Sequence, residues 1–147
     1  MIPAKTFEDF VALFTIKPSF GFEKIGKDFF LKNEYLDGLN LNNSRFVAKS
    51  LPLGKVDSFF RPSLFLLELL SKESDNKIFV NPTAEWFFLC GRDIFPENVL
   101  KSNTSGKVFL VQNEFDENIG LGMRSKIKGR RVIKNLLDRG DFLRREK

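Results

Sequence analysis

Six cations, Arg124, Lys126, Lys128, Arg130, Arg131 and Lys134, stand within eleven residues that contain no acid. Ammonium and guanidinium groups at that density suit a phosphate backbone, because each can neutralise one phosphate and release its counterion. A solvated strand and loop whose lysines discourage edge pairing would carry the same residue types. If the chain stays extended, Arg124, Lys126, Lys128 and Arg130 fall at period two on one side, opposite Met123 and Ile127. If it turns near Gly129, the same charges gather at a loop tip. Either geometry makes a patch. The wider charge distribution agrees: residues 1 to 101 hold 13 Lys plus Arg against 13 Asp plus Glu, whereas residues 102 to 147 hold 11 against 6. The whole net charge of +5 therefore belongs to the last third of the chain.

Other chemistry has little to work with. The chain has no histidine, which removes the commonest general base and the commonest metal ligand together. Its one cysteine, Cys90, lies in the apolar run Trp86-Phe87-Phe88-Leu89-Cys90, so no internal disulfide can form and a buried structural thiol is expected. Gly120-Leu121-Gly122 lacks the third glycine of a dinucleotide loop, since position 125 is Ser. The acidic pairs Glu8/Asp9 and Asp116/Glu117 are neighbours in turns, where solvated local structure explains them. The expectation is a protein that is not an enzyme, with no catalytic residue, no metal ligand and no cofactor.

The elements that must carry the basic run can be read from pattern. Thr6, followed by Phe7, Phe10, Val11 and Phe14, predicts an amphipathic helix with Thr6 as N-cap and an end before Pro18. From Phe20 to Val47, short alternating runs broken by Gly26, Gly38 and Asn40 to Asn43 predict antiparallel strands. Arg61-Pro62-Ser63 opens a helix through Leu70, apolar nearly all round and hence buried. Ser71 to Lys77 reads as a linker. Lys77 to Val80 is then a strand, Asn81-Pro82 the start of a helix, and Gly91 its left-handed end. A polar loop from Ser102 to Gly106 leads into a hairpin of Lys107 to Val111 and Ile119 onward, and Arg131 to Lys134 forms a further strand. Asp138 and Asp141 are candidate caps for a short helix from Phe142 to Glu146. Eighteen phenylalanines against one Trp and one Tyr give a core of rings without hydrogen-bonding handles.

This order of strand, Asn-Pro-Thr-Ala-Glu helix, Phe-Leu-Cys-Gly, hairpin and closing Gly-Asp-Phe-Leu-Arg resembles the PUA domain, an RNA-binding module. The clearest matches are Lys77 to Gly91, Gly120 to Gly122 and Gly140 to Arg144. The whole chain is similar to small two-domain ribosome-biogenesis factors, with Leu53-Gly54-Lys55 and the following helix as the N-terminal match. The resemblance implies an α+β protein: a small α/β domain with antiparallel strands over residues 1–75, then a PUA-type β pseudo-barrel over 76–147. It further implies that Arg92, Arg131, Lys134 and Arg144 face RNA, while Arg124, Lys126, Lys128 and Arg130 come from the charge argument alone. The expected function is non-catalytic RNA binding, with ribosomal RNA bound during ribosome assembly or during RNA processing or modification. The alternative is an adaptor whose N-terminal domain docks an RNA-processing or RNA-modifying enzyme as protein partner. An RNA binder touching about 3 to 5 phosphates should show a log–log salt slope of roughly −2 to −3.5 on single strands, and a pure adaptor little salt dependence. No apolar run approaches the roughly 20 residues of a bilayer span. A cytoplasmic location without membrane contact, nucleolar in a eukaryote, is therefore expected. Few aromatics accompany the cations, so weak sequence preference is expected, with Phe142 the one stacking candidate.

Overall fold

The computed structural model describes residues 4–32 and 51–141, and the chain divides into two units at Glu73/Ser74. In the first unit, α1 (Phe7–Ala12) begins where the Thr6 hydroxyl accepts a hydrogen bond from the Asp9 amide at 3.0 Å. The predicted stripe is the buried one: Phe7, Phe10, Val11 and Phe14 are all inside. Among the described residues four strands follow, β1 (Gly21–Ile25), β2 (Asp28–Lys32), β3 (Pro52–Val56) and β4 (Phe60–Pro62), in an antiparallel sheet of that order. Phe7 stacks on Phe29 at 4.6 Å and meets Phe60 edge-on at 5.4 Å, so the rings lock helix to sheet through offset and T-shaped contacts. Arg61 and Pro62 belong to β4 and do not open the helix; Ser63 caps α2 (Leu64–Ser71) and donates to the Pro52 carbonyl at 2.6 Å. Leu66, Leu67 and Leu70 are fully buried. The predicted strand region around Gly38 and Asn40 to Asn43, and the predicted helix from Phe142 to Glu146, lie outside the described residues.

The second unit runs β5 (Lys77–Val80), α3 (Pro82–Leu89), a 3-10 turn at Pro96–Asn98, β6 (Val99–Ser102), β7 (Val108–Gln112), β8 (Asn118–Ile127) and β9 (Arg130–Asp138). Its sheet order is β6-β5-β7-β8-β9, with β5 and β7 parallel and every other neighbour antiparallel. Ile94 exchanges two backbone hydrogen bonds with Ile133 of β9, 2.9 and 2.8 Å, and five residues later the chain enters β6 at the opposite edge. A flat five-stranded sheet would hold its edges about 19 Å apart. Five residues reach at most about 17 Å even fully extended, and these include a 3-10 turn, so the sheet must curl. Ile78, Val80, Ala84, Phe88, Phe109, Val111, Ile119 and Ile133 pack inside the curl.

The predicted caps of α3 are present. The Asn81 side chain accepts from the Ala84 amide at 2.8 Å, Pro82 takes the first turn, and Gly91 follows with φ 86°. The expectation for Cys90 is overturned. Only Ala84 and Phe88 of this short helix are buried, and Cys90, two residues past Phe88 at the C-cap, is exposed. Trp86, on the outward side, is 68% exposed.

Candidate nucleic-acid interface

The basic run rides on an overhang. β7 has five residues and its last pairing is Val108 with Met123, whereas β8 continues to Ile127 and pairs with β9 as far as Ile127 with Arg130. Burial follows the same boundary: Asn118 to Met123 are all buried, and Arg124 to Ile127 are exposed or half-buried. Beyond Arg124, whose amide still bonds the Lys107 carbonyl at 2.8 Å, the hairpin is a two-stranded arm. Its two-residue tip is Lys128-Gly129, with φ 53° and 79°. Positive φ at both central residues is the type I′ geometry that matches strand twist, and Gly129 adopts it without a Cβ penalty. The chain thus turns near Gly129, and the uninterrupted extended run does not form.

That turn sorts the cations. Lys126 and Arg131 are directly opposite in the ladder and so share a face, with Arg124 two residues along on the same side. Both Lys126 and Arg131 are exposed, as is Lys128 at the tip. Among the described residues, the three salt bridges are Lys27 with Asp57, Lys77 with Asp116, and Arg130 with Glu97, so none of these three cations is in one. Arg124 is committed elsewhere: its Nε donates to Gly106 O at 2.9 Å and its terminal nitrogen to Thr104 O at 2.6 Å, clamping the 102–106 loop beside the Phe109 ring. Arg130 pairs with Glu97 at 2.9 Å and lies 4.4 Å from the centroid of Phe95. Lys134 is exposed but opposite Met123, on the other face from Lys126. Arg92 sits beyond α3, 5.6 Å from the centroid of Phe87, with no ion pair to Asp93, whose carboxylate accepts from the Asn135 amide at 2.9 Å. Arg144 lies outside the described residues. The fold therefore brings Lys126, Lys128 and Arg131 together, adds Arg124 as a buttress, and leaves Arg92, Arg130 and Lys134 apart.

Beside the arm, the mouth of the curled sheet is a cleft of about 620 Å³ between β6 and the β8–β9 overhang. Ile78, Val99, Val132 and Ile133 supply apolar lining. Lys101, Arg124, Lys126 and Arg131 are also in it, and among the described residues no acid is. Lys101 is a cation that the sequence pattern did not single out; it comes from β6, most of which the pattern left unassigned, and its ammonium lies 5.9 Å from the Phe79 centroid.

Away from this surface, a polar cluster closes the other end of the hairpin. Lys77, almost fully buried, bonds Asp116 at 3.1 Å, and buried Gln112 donates to the same carboxylate at 3.0 Å. Burial pushes the Asp116 carboxyl up, but the hydrogen bonds from Gln112 and Lys77 and the Lys77 charge outweigh it and hold it below 3.8. Burial draws Arg139, which bonds the Asn118 carbonyl, below its ordinary value. The Gly120-Leu121-Gly122 motif also has a structural reason: a Cβ on Gly120, at φ 151°, would come within 2.0 Å of the Leu137 carbonyl oxygen.

Residues 76–147 match the family model described as the UPF0113 PUA domain. The second unit is thus similar to UPF0113 PUA domains. A UPF0113 protein of Archaeoglobus fulgidus is 33% identical over 105 residues, a stretch longer than either unit, covering 65% of this chain and 60% of that relative. This chain thus spans 60% of the length of the curated relative it matches. A solved structure described as a conserved PUA domain protein from Thermoplasma acidophilum is 17% identical and covers 92% of this chain and 88% of its own, with a TM-score of 0.56. At that identity the likeness establishes the fold: a mixed α+β chain with an antiparallel N-terminal sheet and a curled PUA-type sheet.

Proposed function

We propose that this protein is a non-catalytic RNA-binding protein whose PUA domain holds single-stranded RNA at the β8–β9 arm. PUA domains generally bind RNA. The observation that carries the reading is the cross-strand pair Lys126 and Arg131. Like charges directly opposite in a ladder are destabilising, and here the described residues place no acid in a salt bridge with either. An arrangement that costs the apo fold stability is accounted for by an anion that arrives from outside. Lys128 at the tip extends the same grip. RNA phosphates fit this spacing, because successive strand residues on one face and a partner strand about 5 Å away offer cations along a line that a backbone can follow.

The substrate class that we assign is ribosomal RNA, met during assembly of the ribosome or during RNA processing, and the grip is sequence-tolerant because it falls on phosphate. Amide chemical-shift mapping on the full chain, titrated with a short single-stranded RNA, tests the placement. Shifts should concentrate in residues 99–102 and 124–134. Shifts confined to residues 4–32, or to α3 and Arg92, would reject it.

A further inference from the structure

Resting on the RNA reading, we infer that the cleft between β6 and the β8–β9 arm takes one base of the bound strand, turned out of line while its phosphates stay on the arm. Three observations combine. The cleft, at about 620 Å³, falls within the ~300–1,000 Å³ of small-molecule sites, so it has room for a nucleoside unit. Its floor is apolar, with Ile78 and Ile133 buried beneath and Leu100 on the wall 57% exposed, an apolar side chain left in water beside an open hollow. Its rim carries Lys126 and Arg131, the same two cations that face each other, and among the described residues neither is in a salt bridge and no acid lines the cleft.

A cleft for an apolar ligand would have no use for that rim, and a cleft for an inorganic anion would not present aliphatic walls. A nucleotide has a flat, weakly polar base and a charged phosphate, and matches both parts at once. Ser102, directly opposite Ile78 in the ladder, also lies in the lining, and its hydroxyl can meet base-edge groups without imposing one identity, since a hydroxyl donates or accepts. The walls come from β6 at one edge of the sheet and from the β8–β9 pair at the other, so the hollow exists because the sheet curls without closing there.

The experiment compares two oligomers of equal length, one of ordinary single-stranded RNA and one with the same backbone but no bases, by fluorescence anisotropy with the full chain. The wild type should hold the base-bearing oligomer about tenfold tighter, in line with the range for a single buried or stacked base. Ser102→Phe, which places a ring on the Ile78 side of β6 while leaving every cation, should remove most of that difference and leave the salt slope unchanged. Leu100→Ser, at an exposed position, should reduce it several-fold. Thermal melts of both variants close to that of the wild type exclude misfolding as the cause. Equal affinity of the wild type for the two oligomers, or a preference undiminished in both variants, would overturn the cleft assignment. So would competition by a free nucleoside 5′-monophosphate as effective as that of the oligomer, since the cleft would then serve a free nucleotide. If these tests fail while Lys126→Gln and Arg131→Gln still weaken RNA binding, the RNA reading stands without the cleft; if the charge variants also bind as the wild type does, both fall.

Discussion

Lys126 and Arg124 are two residues apart on one strand face, yet the structure gives them opposite tasks. The Arg124 guanidinium is spent on two carbonyls of the 102–106 loop, whereas the Lys126 ammonium faces Arg131. Arg124→Gln should therefore cost about 0.5–1.5 kcal/mol of stability by releasing those carbonyls to water, while the salt dependence of RNA binding stays near that of the wild type. Lys126→Glu should do the reverse. Opposing Arg131 with a carboxylate replaces a repulsive cross-strand pair with an attractive one, so urea denaturation should show a gain of roughly 0.2–1 kcal/mol, while RNA affinity falls severalfold. A variant that loses stability and keeps its affinity would contradict the role given to this pair. The density of the basic run was legible in the sequence. The partition was not, because Arg130 meets Glu97 and Arg124 meets Thr104, partners 33 and 20 residues away with no local signal.

Pattern reading located the elements with the strongest local chemistry and missed those defined by pairing. The Thr6 and Asn81 caps and the Phe7 stripe are local signals, and the structure has all three. β6 was missed because Val99-Leu100-Lys101-Ser102 has no clean alternation, and the register shift between Phe79 and Val80 shows why: the ladder is broken there. β9 runs to Asp138, past the Arg131 to Lys134 segment read as strand, because a register shift at Leu121/Gly122 interrupts the period that would have revealed it. The long β8 depends on the close approach at Gly120. Gly120→Ala adds backbone strain of about 1–3 kcal/mol to overpacking of similar size, and its denaturation midpoint should drop by an amount equivalent to about 2–5 kcal/mol. At the other end of the hairpin, the lowered Asp116 titration makes its contribution complete above its unfolded pKa and lost as pH falls through the lower folded value. Acid unfolding below about pH 4 should be shallower in Asp116→Asn. At neutral pH, Asp116→Ala should cost about 2 kcal/mol, less than the ~3–5 of a fully buried pair, because Lys77 is 9% exposed but Asp116 is 54% exposed.

On the scale of the molecule, each unit has its own buried core, and the net charge lies with one of them. The first unit is built on a phenylalanine cluster, and the whole net positive charge falls after residue 101, in the second. Among the described residues no helix is long and apolar enough to cross a membrane. The PUA resemblance was readable from Lys77 to Gly91 and the closing residues, and the family match over 76–147 agrees with it. The cleft was not readable, because its walls come from β6 and from the β8–β9 arm, segments brought together only by the curl of the sheet. The measurement that bears most directly on the central claim is the salt dependence of single-stranded RNA affinity for the full chain and for the double variant Lys126→Gln/Arg131→Gln. The wild type should give a log–log slope of roughly −2 to −3.5, and the double variant a slope shallower by about 1.4. A wild-type affinity indifferent to salt, or identical slopes for the two proteins, would contradict the claim that these paired cations hold the phosphate backbone.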